Sequence, residues 1–185
     1  MSCTISSGRL INCKDQVGGI KTVYFMNYAD ISAAIEVDAT TKALTDIGVQ
    51  TVYQYDVQPE TASVNVAINS SKENGTTFYD QNIDITLHKL TPEDEDNIRL
   101  LAWGRPIIFV LDQNNQVFMF GAENGCALAS GQVQTGTGFG DMSGYQLTFN
   151  GKEQQAYYQF TADFDVAGSG PFGDLTNVVT VTVGT

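Results

Sequence analysis

The chain carries few groups able to do covalent chemistry. Its one histidine, His88, would have to serve any histidine-based triad. It closes an alternating polar and apolar stretch, and no Gly-x-Ser-x-Gly turn is present to raise a nucleophilic serine. His88 therefore reads as a surface or interface residue. Glu93, Asp94, Glu95 and Asp96 place four carboxylates in succession. Consecutive helical positions fan around the axis and cannot converge on one ion, so the run reads as a solvated helix start.

The glycine-rich segment Thr135-Gly136-Thr137-Gly138-Phe139-Gly140-Asp141-Met142-Ser143-Gly144 has the look of a phosphate cradle. No lysine follows it, and the next residues, Tyr145 to Phe149, read as a strand where a cradle opens onto a helix. The glycines are expected to permit tight turns that present Phe139 and Asp141 at the tip of a connection, with calcium at Asp141 an open alternative. Cys3, Cys13 and Cys126 have no CxxC spacing and, with a single histidine, form no usual zinc set. They are expected to be reduced, with Cys3 and Cys13 close together. No catalytic, metal or cofactor site is assigned, and the chain does not read as an enzyme.

The bulk properties narrow the partners. At 185 residues the chain suits one domain. Charged residues make up 16%, well under the norm of roughly 25%, so Ser, Thr, Asn, Gln and Gly must cover much of the surface. Nine basic residues stand against 21 acidic ones, for a net charge of −12. Tight wrapping of a phosphate backbone is disfavoured. Such acidity either aids solubility or lines a channel to which a polyanion does not adhere. The N-terminal residues lack a secretory pattern, and no apolar run approaches about 18 residues, so a cytoplasmically made, non-spanning protein is expected.

The elements that would position these residues are mostly strands. Ile20 to Met26 is rich in β-branched and aromatic residues, a short strand is expected at Ala34 to Val37, and residues 51 to 57 alternate, with Thr51, Tyr53, Tyr55 and Val57 on one face. Val64, Val66 and Ile68 alternate with Ser63, Asn65 and Ala67. After the polar stretch Ser70 to Gly75, Ile83, Ile85 and Leu87 alternate with Asp84, Thr86 and His88. This predicts a long β-hairpin over 61–88. Thr91-Pro92-Glu93-Asp94 predicts a helix capped by Thr91 that ends near Gly104, with Ile98, Leu101, Ala102 and Trp103 on its apolar side. Strands at 106–111 and 116–120 flank the turn Asp112 to Asn115, and others follow near 126–134, 145–150, 156–163 and 177–183.

Three stretches together resemble the tail tube proteins of tailed bacteriophages: Gly8 to Lys21, Phe120-Gly121-Ala122-Glu123-Asn124-Gly125, and Thr135 to Phe149 followed by Glu153. The resemblance covers most of residues 8–155. It implies a mainly β fold, a β-sandwich or barrel with one flanking helix and a long protruding β-hairpin. It also implies a virion structural protein in which the 61–88 hairpin joins neighbours into rings, expected to be hexameric. These would stack into a tail tube alongside other tail proteins, and DNA would pass through the lumen without specific binding. Ser63, Asn65, Asp84 and Thr86 would face that lumen, with Phe139 and Asp141 as loop contacts. Residues 156–185 lie outside the likeness and are expected to be a C-terminal strand extension. A collar or tail terminator protein is an alternative, as is a β-sandwich module that binds carbohydrate or a host surface.

Overall fold

The structure is a computed structural model that describes residues 8–9, 14, 16–30, 35–48, 50–165, 167–177 and 179–183. It is mainly β with one helix and three sheets. The strands are β1 (Ile20–Asn27), β2 (Glu36–Val37), β3 (Leu44–Asp46), β4 (Gln50–Asp56), β5 (Ala62–Ser71), β6 (Thr76–His88), β7 (Pro106–Asp112), β8 (Gln116–Phe120), β9 (Ala127–Gln134), β10 (Gly144–Glu153), β11 (Tyr158–Thr161) and β12 (Val179–Val183). The helix α1 spans Pro92–Trp103. A six-stranded sheet runs β11-β8-β7-β1-β4-β12, a four-stranded sheet runs β5-β6-β10-β9, and β2 pairs with β3. Every pairing is antiparallel except that of β12 with β4.

Two apolar cores lie on opposite faces of the six-stranded sheet. Val23, Phe25, Ile108 and Val110 point to one face, where they meet Ile83, Ile85, Tyr145, Leu147 and Phe149 of the four-stranded sheet and Ile98 of α1. Tyr24, Met26, Ile107, Phe109 and Leu111 point to the other, where they meet Leu44, Ile47, Phe172 and Leu175. Burial on both faces is why β1 and β7 read as near-continuous apolar runs, whereas β6 and β10, covered on one face, alternate.

β11 and β12 do not pair with each other; they form the two opposite edges of the six-stranded sheet. Between them Phe172 plugs the second core, its ring 5.3 Å from Tyr24, 5.2 Å from Phe109 and 5.7 Å from Phe160. Phe160, Phe172, Leu175 and Val179 are all buried in the second core, and the Tyr157 ring packs 5.3 Å from Phe118 at the margin of the first.

The helix starts where its cap requires: the Thr91 hydroxyl accepts from the Asp94 N–H at 3.1 Å, and the chain stops at Gly104, whose N–H reaches the Leu100 carbonyl. Ile98 is buried and Leu101 packs on the first core. Ala102 and Trp103 differ from expectation, since both are exposed. Trp103 instead lies beside the Arg99 guanidinium, 5.7 Å from its ring centre. A twelve-residue helix that buries so few side chains presents a narrow apolar stripe, and the last turn lies beyond it.

Candidate assembly surface

β5 and β6 pair from Ala62↔Ile85 to Ser71↔Thr76 without a bulge, closing through Lys72–Gly75. Gly75 takes φ +62, a left-handed conformation suited to glycine at the end of the turn. The strands run further toward the tip than the sequence pattern indicates, because the polar residues of the tip still pair across strands, as the contact between Ser70 and Thr77 hydroxyls illustrates. Only part of this strand pair protrudes. β10 pairs with β6 from His88 back to Tyr79, so the free tip comprises Asn69–Ser71, the turn and Thr76–Phe78. Ile68 (69% exposed) and Phe78 (38% exposed) flank that tip, and the Lys152 ammonium lies 5.8 Å from the Phe78 ring centre.

Four candidate residues fall on one polar face of the four-stranded sheet. Ser63 lies opposite Asp84, Asn65 opposite Asn82, and Thr86 opposite Gln146 of β10. Ser63, Asn65 and Asp84 are exposed and Thr86 is half-buried. The Thr148 hydroxyl donates to Asp84 at 2.6 Å, Asn150 donates to Asn82 at 2.9 Å and also to Asp80, and Gln132 donates to Gln146 at 2.6 Å. The face is thus a continuous layer of amides, hydroxyls and carboxylates bonded across strands. Between its strands lies a shallow hollow of about 460 Å³ lined by Asp84, Thr86, Ser130, Gln132, Gln146 and Thr148.

Both edges of this sheet lack a strand partner among the described residues. The Thr86 N–H donates to the Thr61 carbonyl, and the Lys89 N–H donates to the Ser143 carbonyl. Antiparallel pairs alternate between bonded and non-bonded positions, so the backbone groups of Ala62, Val64, Val66, Ile68 and Ser70 point away from β6. Carrying the alternation through β10 leaves those of Gly131 and Val133 on β9 pointing away from β10. The outward positions at both edges belong to residues whose side chains lie on the core face. A sheet with an even number of strands can therefore be continued, β9 of one copy beside β5 of the next, with antiparallel sense and with one unbroken polar face.

The glycine-rich loop divides its two candidates. Phe139 is fully exposed. Asp141 turns inward as a staple: its carboxylate accepts from the N–H groups of Gly138 at 2.7 Å and Thr137 at 2.9 Å, which hold its pKa below the usual carboxylate range. Gly136, at φ +70, has no room for a Cβ, which would sit 2.7 Å from that of Asp141. Asp141 shapes the loop and Phe139 is what the loop presents. Among the described residues no three His, Cys, Asp or Glu side chains gather as a metal site. His88 is exposed at the end of β6, opposite Gly144. Cys126 is buried, and desolvation pushes its thiol up to about 12, while Cys3 and Cys13 lie outside the described residues.

No known protein family, curated protein or solved structure matches the chain.

Sequence patterning missed the group that fixes this sheet in place. Gln81 is buried on the core face of β6; its Oε1 accepts from the Gly121 N–H at 2.9 Å, and its Nε2 donates to the carbonyls of Ala156 at 2.9 Å and Gln155 at 3.2 Å. Glu153 is buried on β10, opposite Tyr79 of β6, accepting from the N–H groups of Asn124 at 2.8 Å and Glu123 at 3.2 Å. Desolvation raises the Glu153 carboxyl, these hydrogen bonds oppose the rise, and the Glu123 charge adds to it. The two side chains tie the four-stranded sheet to the β8–β9 turn, and Gln81 also ties it to the β10–β11 link. The signal was a polar residue at even spacing from Ile83, Ile85 and Leu87, on the apolar side of the alternation.

Proposed function

We propose that the chain is a self-associating structural subunit, a virion tail tube protein whose four-stranded sheets join edge to edge into a ring. In that assembly the fold acts as a β-sandwich, the β5–β6 hairpin as the joining element, and the layer containing Ser63, Asn65, Asp84 and Thr86 as the wall of a lumen. The observation that carries this is the pair of unpartnered, phase-matched edges, β5 and β9, on an even-stranded sheet with one polar face. An exposed edge of ten residues is a template for pairing, and ring closure removes it. The amide, hydroxyl and carboxylate wall together with a net charge of −12 suits a conduit through which DNA slides without adhering.

The test is a concentration series of purified protein followed by light-scattering mass and negative-stain electron microscopy. Rings or tubes with a central hole support the proposal; a strict monomer at every concentration contradicts it. A second reading, a carbohydrate- or host-surface-binding module, is favoured by a hollow of about 620 Å³ next to β11, lined by Lys42, Gln155, Tyr157, Tyr158 and Gln159 among others. Glycan-array binding by a monomer, lost on Tyr157→Ala, would select that reading.

A further inference from the structure

The chain contains three Asn-Gly dipeptides, Asn74-Gly75, Asn124-Gly125 and Asn150-Gly151. Such a pair can rearrange without an enzyme: the glycine backbone nitrogen attacks the asparagine Cγ, the C–N bond to Nδ2 breaks, and ammonia leaves with the amide proton. Water then opens the resulting succinimide at either carbonyl, giving aspartate or isoaspartate. The reaction needs a glycine nitrogen free to lose its proton, a side-chain amide free to rotate, and a backbone able to bring the two together.

The structure separates the three sites on these requirements. At Asn124 the nucleophile is occupied, because the Gly125 N–H donates to the Gly121 carbonyl at 3.0 Å. Its electrophile is also held, with Asn124 Nδ2 donating to the Lys152 carbonyl at 3.0 Å and its N–H to Glu153 at 2.8 Å. A Cβ at Gly125 would collide with Arg105 at 2.9 Å, so the backbone there is packed in. Asn150 lies within β10, its Nδ2 donates to Asn82, and Gly151 opposes Gln81 against Cys126. Asn74 is different. It sits in the exposed turn between β5 and β6, and around Gly75 a Cβ would meet no atom within 4 Å. At this dipeptide the Asn74 N–H donates to the Ser71 hydroxyl at 3.3 Å, and among the described residues the Asn74 side-chain amide and the Gly75 N–H have no partner.

We infer that Asn74 is a site of spontaneous deamidation and isomerisation in the folded protein, and that Asn124 and Asn150 are protected by the fold. The product places a new carboxylate beside Glu73 and, in its isoaspartyl form, lengthens the main chain by one methylene at the tip of the β5–β6 pair. Any effect of that change on assembly rests on the proposed function; the chemistry does not.

The experiment is incubation of the native protein in mildly alkaline buffer, followed by peptide mapping for the mass gain of amide-to-acid conversion and by isoaspartyl methyltransferase labelling. Asn74 is expected to convert more than about tenfold faster than Asn124 or Asn150, since each of those must first break several hydrogen bonds. In urea the three rates should converge. Gly75→Ala strains the left-handed turn in the folded protein, so its effect is read in urea, where hindrance of the attacking nitrogen should slow the Asn74 reaction, and Asn74→Gln should remove the label from that peptide. Conversion of Asn124 or Asn150 at the Asn74 rate in the native protein would overturn the inference, as would a rate difference that persists unchanged in urea.

Discussion

Replacing Gln81 by leucine removes a side chain of similar length that makes three hydrogen bonds in a buried site. Every other buried polar side-chain atom among the described residues keeps a partner, so the loss is confined to this bridge. The Gly121 N–H would be left unpaired away from water at a cost of about 1–3 kcal/mol, and each abandoned carbonyl adds about 0.5–1.5 kcal/mol. Leucine returns roughly 1 kcal/mol through its apolar surface. The expected net loss for Gln81→Leu is about 1–5 kcal/mol, read as a lowered urea midpoint at unchanged slope. Gln81→Glu should be worse near neutrality, because a carboxylate would face two carbonyl oxygens. Its burial raises that carboxyl in the folded state, so the stability it leaves is greatest at low pH and falls as pH rises through the raised value. A Gln81→Leu change of less than about 0.5 kcal/mol would show that the bridge does not fix the sheet.

Ile68→Pro puts a residue without an N–H at an outward backbone position of β5; it should abolish association while the monomer stays folded by circular dichroism, and unchanged particle mass would contradict a role for this edge. Thr91→Ala should cost about 1 kcal/mol in urea unfolding through loss of the helix cap, with Thr91→Ser restoring most of it. Because burial raises the Glu153 carboxyl, its contribution to stability is fully present below the unfolded value and declines as pH rises through the folded one. Urea midpoints across pH should therefore fall more steeply for the native protein than for Glu153→Gln over that range, and a native curve that rises relative to the variant would reverse the sign.

Much of the fold is legible in the sequence where one residue type has one reason to be present. The alternation through Val64, Val66, Ile83 and Ile85 places β5 and β6 because only one of their faces is covered. Thr91 and Pro92 place the start of α1 through the chemistry of its first turn. Residues that answer to tertiary neighbours are less legible. Trp103 looks like a core residue by type, yet it lies past the buried stripe of a helix that ends there. Phe172 occupies a segment with no periodic pattern, and its place in the second core depends on three rings distant in sequence. Gln81 and Glu153 are polar residues on apolar faces, and their partners are backbone groups of turns that no local pattern connects to them. On the candidate surface, types and faces could be read for Ser63, Asn65, Asp84 and Thr86, whereas the inward turn of Asp141 depends on the conformation of Gly136.

The proposed joint can be tested by disulfide trapping between β9 and β5 of different copies. With the three native cysteines replaced by serine, Gln132→Cys is combined in turn with Ser63→Cys, Asn65→Cys and Ala67→Cys. These residues lie on the polar face, at the positions not bonded to each other across the joint, where paired strands come closest. One register should give a ladder of covalent multimers ending in a closed species, and single-cysteine variants should stay monomeric under denaturing electrophoresis. Dimers formed by Asn65→Cys alone would mean that β5 pairs with its own copy, and no crosslink in any register would mean that these two edges do not meet.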